Sequence, residues 1–152
     1  MTKRSAGLLV HRTREDIREV FLVHPGGPFF RNKDDGAWSI PKGEFGDGED
    51  ALAVARREFE EETGRSIDGR FVTLTPIRQR GGKVVQAFAV EGDVLLEGLA
   101  SNTFTVEWPP RSGRTQSFPE VDRYGWFALD EARRKINESQ RALLDELTST
   151  LR

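Results

Sequence analysis

The sequence predicts a mixed α/β domain, and three observations carry that expectation. Two β-branched, apolar-rich runs near the start are separated by a short polar segment. A single helix with strong start and stop signals stands in the first half. A Leu-striped helix closes the chain, with further strand-like runs between the two helices.

The elements follow in order. Ser5 to Arg12 (SAGLLVHR) and Ile17 to His24 (IREVFLVH) flank the polar Thr13-Arg14-Glu15-Asp16, which predicts a hairpin that starts the central sheet. Pro25 to Gly36, punctuated by Pro-Gly-Gly-Pro and Asn-Lys-Asp-Asp-Gly, is a long loop and hence a candidate functional one. Trp38-Ser39-Ile40 reads as a short strand stopped by Pro41. Asp47 is placed to cap a helix from about Gly48 to Thr63, with Glu49 and Asp50 in its first turn and Gly64 as its stop. Phe71 to Ile77 and Lys83 to Val90 alternate as strands around a Gly81-Gly82 turn. Ser101 to Trp108 is another strand, Pro109 to Pro119 a loop rich in Pro, Gly, Ser and Arg, and Tyr124 to Ala128 a short aromatic strand. Asn137-Glu138-Ser139-Gln140 has the spacing of a capping box. It opens a helix with Leu143, Leu144, Leu147 and Leu151 on its apolar side. No repeat, low-complexity tract or linker interrupts the pattern, so residues 1–152 are expected to form one domain.

Composition removes several function classes. At 36% hydrophobic and 32% charged residues the chain has the make-up of a folded globular protein. No stretch approaches the roughly 20 apolar residues that span a bilayer, and the apolar run Ala6 to Val10 behind Met1-Thr2-Lys3-Arg4 is too short for a secretory signal. The expectation is a cytoplasmic protein with no membrane partner. The absence of cysteine excludes disulfides, thiolate zinc sites and thiol nucleophiles. His11 and His24 lie in apolar runs without metal-ligand spacing and are expected to be structural or surface residues. The net charge of −2 hides a division: Gly43 to Arg65 holds eight acids against three Arg, net −5, and the remainder is net +3. A remainder so weakly basic predicts no nucleic-acid partner.

The acidic segment carries the candidate chemistry. At about 100° per residue, Leu52, Ala55, Phe59 and Thr63 form one stripe suited to a sheet, while Glu58, Glu61 and Glu62 share a neighbouring sector and Glu60 points elsewhere. Three carboxylates this close raise one another's pKa and destabilise the helix unless a cation compensates. Arg57 can reach Glu61 one turn on. A divalent cation supplies the rest, and oxygen ligands beside a phosphate-bearing substrate suit Mg²⁺, with Mn²⁺ as the alternative. Taken alone, Glu60-Glu61-Glu62 reads as a solvated acidic face, as most charge runs do, and only the wider pattern overturns that reading.

From Gly43 the chain reads GEFGDGEDALAVARREFEEETGR, which resembles the Nudix box. Gly43, Glu49, Arg57, Glu58, Phe59, Glu61, Glu62 and Gly64 fit the pattern, and only Arg65 departs, where an aliphatic residue is usual; Ile67 is placed to fill that space. Seven fixed positions met by chance at about one in ten each give a false match roughly once in 10⁵ such chains. The resemblance implies an α/β/α sandwich with a central mixed sheet, the box forming a loop-helix-loop over residues 43–65. It implies Glu61 and Glu62 as central metal ligands and Glu58 as a ligand or the base that activates water. Glu49 would support the metal shell, Arg57 would orient Glu58 or Glu61, and a backbone carbonyl of Lys42 or Gly43 would be a further ligand. The implied activity is metal-dependent hydrolysis of a diphosphate linkage in a nucleoside polyphosphate or nucleoside diphosphate-linked compound, with nucleoside triphosphates first. Dinucleoside or diphosphoinositol polyphosphates are the alternative, followed by a noncatalytic nucleotide sensor.

Outside the box, Glu107 and Glu120 sit beside long loops, and relatives of this kind often recruit a further acid from such a place. Of 23 basic residues 18 are Arg, which suits bidentate phosphate recognition. Lys42 beside the box, the Arg111-Ser112-Gly113-Arg114 group, Arg31 and Arg80 are the candidates for substrate binding, with Lys33, Arg78 and Lys83 also on loops. Trp38 is expected in the core, and Phe29-Phe30 are candidates for stacking on a base. The expected partner is a small nucleotide or polyphosphate, and the expected state a monomer or homodimer.

Overall fold

The computed structural model describes residues 2–151; Met1, the start of the basic lead, lies outside the described residues. Strands β1 (Arg4–Arg14) and β2 (Ile17–Pro25) form the expected hairpin, closed at Glu15 and Asp16, both with left-handed backbone (φ 52° and 65°). The sheet continues with β3 (Lys42–Phe45), β4 (Val72–Thr73), β5 (Ile77–Arg78), β6 (Val84–Glu91) and β9 (Val121–Ala128), in the order β4-β6-β1-β2-β9, with β3 on β1 and β5 on β6. The β1–β6 pair is parallel and its other neighbours antiparallel, so the sheet is mixed. Strands β7 (Thr103–Glu107) and β8 (Thr115–Pro119) form a separate hairpin.

Helices cover both faces, which explains why β1 reads as an unbroken apolar run. Ala6, Leu8 and Val10 pack with Phe21 and with Val54, Ala55 and Phe59 of helix α1 (Ala51–Thr63). Leu9 packs on the other side with Leu22, Trp38 and Ile40, and with Leu143, Leu144 and Leu147 of helix α3 (Arg141–Thr150). The layers are helix, sheet, helices. His24 is fully buried, its Nδ1 2.6 Å from Asp122 Oδ1 and its Nε2 2.7 Å from the Lys33 carbonyl, so it ties the loop after β2 to β9. His11 is also buried, beside Arg18 (2.9 Å), and burial followed by the Arg18 charge lowers its pKa.

Several boundaries differ from the sequence expectation for identifiable reasons. Helix α1 starts at Ala51, capped by Asp50, whose carboxylate accepts from the Ala53 N–H (2.9 Å). Gly48 takes φ +86°, outside the helical region, so Asp47 cannot be the cap and pairs instead with Arg4 at 2.7 Å. Ser39 makes only an isolated bridge to Val23, and Trp38 one to Ile136, in place of a regular strand. The Phe71–Ile77 run is split into β4 and β5, Leu74 to Pro76 lying outside both. Within the expected 109–119 loop, residues 115–119 form β8; their mostly exposed, polar character hid the strand. Helix α2 (Leu129–Lys135) follows β9 with acids in its first turn and basic residues in its last, a charge order that favours a helix but lacks the length to stand out.

The Asn137–Gln140 segment forms a 3-10 turn in which Asn137 Oδ1 accepts from the Ser139 N–H (2.9 Å). Gln140 does not reach back to Asn137 as a capping box would. Its buried Oε1 accepts from the Ile40 N–H (3.1 Å) and its Nε2 donates to Ser39 Oγ (3.0 Å), locking the segment before β3 onto the closing helix. Leu143, Leu144 and Leu147 are buried, whereas Leu151 is 40% exposed and stands outside the core. Ile67 packs beside α1, and Arg65 turns outward to the Glu97 carbonyl at 3.2 Å.

Candidate active site

Helix α1 places three carboxylates in its last two turns, and its C-terminal end is held by bonds from elsewhere in the chain. The Gly64 N–H, in a left-handed cap (φ 73°), donates to the Glu60 carbonyl at 2.7 Å. The Asn102 N–H donates to Glu61 O (3.0 Å), Tyr124 Oη to Glu62 O (2.6 Å) and the Ala100 N–H to Thr63 O (3.2 Å). All four carbonyls that the helix itself leaves unpaired therefore have partners. The position of Glu58, Glu61 and Glu62 is fixed from the backbone outward.

Glu120 joins them from the turn between β8 and β9. Its N–H donates to the Asn102 carbonyl (2.8 Å) and its own carbonyl accepts from the Gly26 N–H (2.9 Å). Asn102 thus holds the backbone of both Glu61 and Glu120. The four acids line one cleft of about 420 Å³, together with Lys42, Gly43, Glu44 and Lys83. A Cβ on Gly43 would overlap the Glu58 carboxylate, so the absence of a side chain at Gly43 is what makes room for it.

This crowding is electrostatically costly. Burial first, then Glu61 by hydrogen bonding and charge, push the Glu58 carboxyl up to about 7 against the opposing pull of Arg57. Burial, then Glu58 and Glu120, push Glu62 up to about 8, offset only in part by Lys42 and its N–H. The negative end of the helix dipole falls on the same groups. Arg57 bridges Glu49 (3.6 Å) and Glu61 (3.9 Å), at distances and exposures that make weak pairs. Lys42 is itself pushed down, by burial and then by Lys83.

The donor set fits a hard divalent cation: oxygens only, held in place, and short of positive charge. Among the described residues no three His, Asp or Glu side chains form a ready-made cage. A cation would therefore draw on the helix carboxylates, a carbonyl of the Lys42–Gly43 stretch and the phosphates of a substrate, the mixed shell that Mg²⁺ prefers.

The other sequence candidates distribute unevenly. Glu49 lies at the approach to α1, its Oε1 accepting from the Gly46 N–H (2.8 Å), and does not line the cleft. Glu107 is at the end of β7, where its carboxylate accepts from the Arg111 N–H (3.0 Å), so it lies with Arg111 and Arg114 at the tip of the β7–β8 hairpin and outside the cleft lining. Hairpin pairing, invisible while β8 read as loop, is what carries these three residues away. Arg31 is exposed in the loop after β2 and also outside the lining. Arg80 lines an adjoining cavity. Phe30 lines the cleft, Phe29 packs on Trp108 (centroids 5.6 Å), and Trp38 is buried as expected. Sequence reasoning missed Asn102, Tyr124 and Gln140; only Gln140 carried a signal, at the last position of the expected capping box.

Comparisons with known proteins agree with this fold. The family model for the NUDIX domain matches residues 1–147. Among solved structures, a binary complex of a C. elegans Ap4A hydrolase superposes with a TM-score of 0.65 at 20% identity, covering 99% of this chain and 98% of that one. The NUDIX domain of Shewanella oneidensis NrtR complexed with ADP ribose gives 0.68 at 14% identity, covering 100% and 90%. A MutT protein from Methanosarcina mazei Go1 gives 0.64 at 15% identity, covering 99% and 96%. No curated protein matches the sequence.

Proposed function

The chain belongs to the Nudix domain family and is an enzyme of the pyrophosphohydrolase kind; from that premise we propose that it hydrolyses a diphosphate linkage in a nucleoside polyphosphate, using a divalent cation held by Glu58, Glu61 and Glu62. The observation that carries this reading is the convergence of these three helix carboxylates with Glu120 in one cleft whose other charged lining is Lys42, Glu44 and Lys83. The box supplies the first three in sequence, and of the two further acids the sequence offered, Glu120 lines the cleft and Glu107 does not.

Held there, Mg²⁺ or Mn²⁺ would neutralise charge on the diphosphate and lower the pKa of a water for in-line attack on phosphorus. The chain's own residues do the rest. Glu58, Glu61 and Glu62, with a carbonyl of Lys42 or Gly43, commit oxygens to the cation. Glu120 comes from a different element and keeps its oxygens free, so we assign it the proton of the attacking water, accepted at a carboxylate oxygen. Lys42 and Lys83 orient the phosphates by charge, and Arg57 steadies Glu61. Phe30 offers a ring face to the substrate's base at the cleft wall.

The test is a panel of nucleoside mono-, di- and triphosphates, dinucleoside polyphosphates and nucleoside diphosphate-linked compounds, with Mg²⁺ and product identification. Glu61→Gln should lower the rate at least about tenfold on the active substrate while the circular dichroism spectrum is retained. Equal rates for wild type and variant across the panel would refute the proposal.

A further inference from the structure

Beside the catalytic cleft lies a larger cavity of about 680 Å³, and the two share Gln79, Lys83 and Asn137 in their linings. The second cavity therefore opens from the first past Lys83. Its walls are two turns. Gln79 to Lys83 is closed by Gly82 N–H to Gln79 O (2.9 Å) and Gln79 N–H to Lys83 O (2.7 Å). Asn137 to Gln140 is the 3-10 turn of the closing segment. One side-chain bond ties them together, from Gln79 Nε2 to Ser139 Oγ at 3.1 Å.

The side-chain groups left over after these internal bonds are Arg80, Lys83 and the Asn137 NH₂ as donors, against Gln79 Oε1 and the Glu138 carboxylate as acceptors. Asn137 Oδ1 accepts from both the N–H and the Oγ of Ser139 (2.9 and 2.5 Å), which fixes the amide so that its NH₂ faces away from those bonds without a protein acceptor among the described residues. Ser139 Oγ is spent, donating to Asn137 and accepting from Gln79. Arg80 makes no ion pair among the described residues, and Lys83 has one long, half-exposed contact to Glu44 (3.4 Å). Glu138 is the sole acid of this lining. The charge thus shifts along the two cavities, from an end with Glu44, Glu58, Glu61, Glu62 and Glu120 to an end with two cations, a free amide NH₂, the Gln79 Oε1 and one carboxylate. Two cations with an amide NH₂ between the turns suit phosphoryl oxygens, which take charge-assisted N–H donors.

We infer that the second cavity is a subsite for a distal phosphoryl group, held by Arg80, Lys83 and the Asn137 amide, so that the enzyme favours substrates whose phosphate chain extends beyond the scissile diphosphate. This rests on the first cavity being the hydrolytic site. A longer chain could come from a nucleoside tetraphosphate, a dinucleoside polyphosphate or another polyphosphorylated compound; the shared chemistry is an additional phosphoryl group past Lys83.

The full chain with Mg²⁺ is assayed on adenosine 5′-tetraphosphate and adenosine 5′-triphosphate, which differ by that one group, and on diadenosine tetraphosphate as the two-nucleoside arm. Arg80→Ala should lower the ratio of kcat/KM for tetraphosphate over triphosphate at least about threefold, through KM, and Arg80→Lys should restore most of it. Arg80 is an exposed turn residue, so the variant keeps its fold. In parallel, calorimetry with inorganic tripolyphosphate and Mg²⁺ should show binding at least about threefold weaker in Arg80→Ala. A smaller change in both measurements overturns the inference. Should neither nucleotide be hydrolysed by wild type, the proposed activity fails on that substrate class, and the tripolyphosphate measurement alone decides the subsite.

Discussion

Replacing Glu62 by Gln should stabilise the metal-free protein at alkaline pH. The Glu62 carboxyl rises from its ordinary 4.5 to about 8 on folding, chiefly by burial and then by the charges of Glu58 and Glu120. A raised carboxyl pKa means that the folded state holds its proton more tightly than the unfolded chain. Stability is therefore fully present below about pH 4.5, falls as pH rises, and reaches its floor above about pH 8. At ~1.4 kcal/mol per pH unit the bound is about 5 kcal/mol, and relaxation and water entry into a partly open cleft reduce it to roughly half. For a chain of this size that corresponds to a Tm difference on the order of 5–10 °C. Glutamine keeps the shape and removes the charge, so Glu62→Gln in a chelator should melt above wild type at pH 8.5 and level with it at pH 4.5. Adding Mg²⁺ should close or reverse the gap at pH 8.5, because the cation stabilises only the carboxylate. A thermal melt followed by circular dichroism measures all three conditions. Equal melting at pH 8.5 in chelator, or an offset of the same size at both pH values, would show that the acidic cluster does not burden the fold, and the electrostatic case for a cation would go with it.

Gly43→Ala should lower hydrolysis at least about tenfold and weaken Mg²⁺ binding, because the new Cβ overlaps the Glu58 carboxylate; Mn²⁺ titration by electron paramagnetic resonance separates lost metal affinity from lost chemistry. Gln140→Ala removes the acceptor for the buried Ile40 N–H and should cost roughly 1–3 kcal/mol in chemical denaturation, whereas Gln140→Glu, which keeps an acceptor, should restore part of that loss.

What was legible in the sequence was local. Helix α1 and its three Glu follow from periodicity and spacing inside one segment, and the β1–β2 hairpin from two apolar runs joined by a tight polar turn. What was hidden depends on residues far apart in the chain. Glu120 and Glu107 look alike as sequence, each beside a loop with Pro and aromatic neighbours. The β7–β8 pairing separates them, carrying Glu107 to the hairpin tip and Glu120 to the turn that Asn102 binds. The expected capping box failed for the same reason: Gln140 had a stronger use in the buried Ile40 N–H than in its own helix. Asp47 failed locally, because Gly48 with a positive φ stands where a first helical residue is required.

The division of charge along the chain becomes a division in space once the cleft is known. Of the eight acids between Gly43 and Arg65, Glu58, Glu61 and Glu62 line the cleft from the helix and Glu44 lines it from β3, paired with Lys83, while Asp50 caps the helix, Glu49 holds Gly46, and Asp47 pairs with Arg4. Local repulsion is thus concentrated on three carboxylates whose helix backbone is held, since the carbonyls of Glu60 to Thr63 are bound by Gly64, Asn102, Tyr124 and Ala100. A helix end free to fray would relieve that repulsion by unwinding, and the site would lose its charge density. Held at its backbone, it can relieve the strain only by binding protons or a cation. On the proposed reading, the bonds from Asn102 and Tyr124, which touch no carboxylate oxygen of the helix, would therefore bear on metal affinity: loosening either one lets the cluster relax, and a cation then has less to gain.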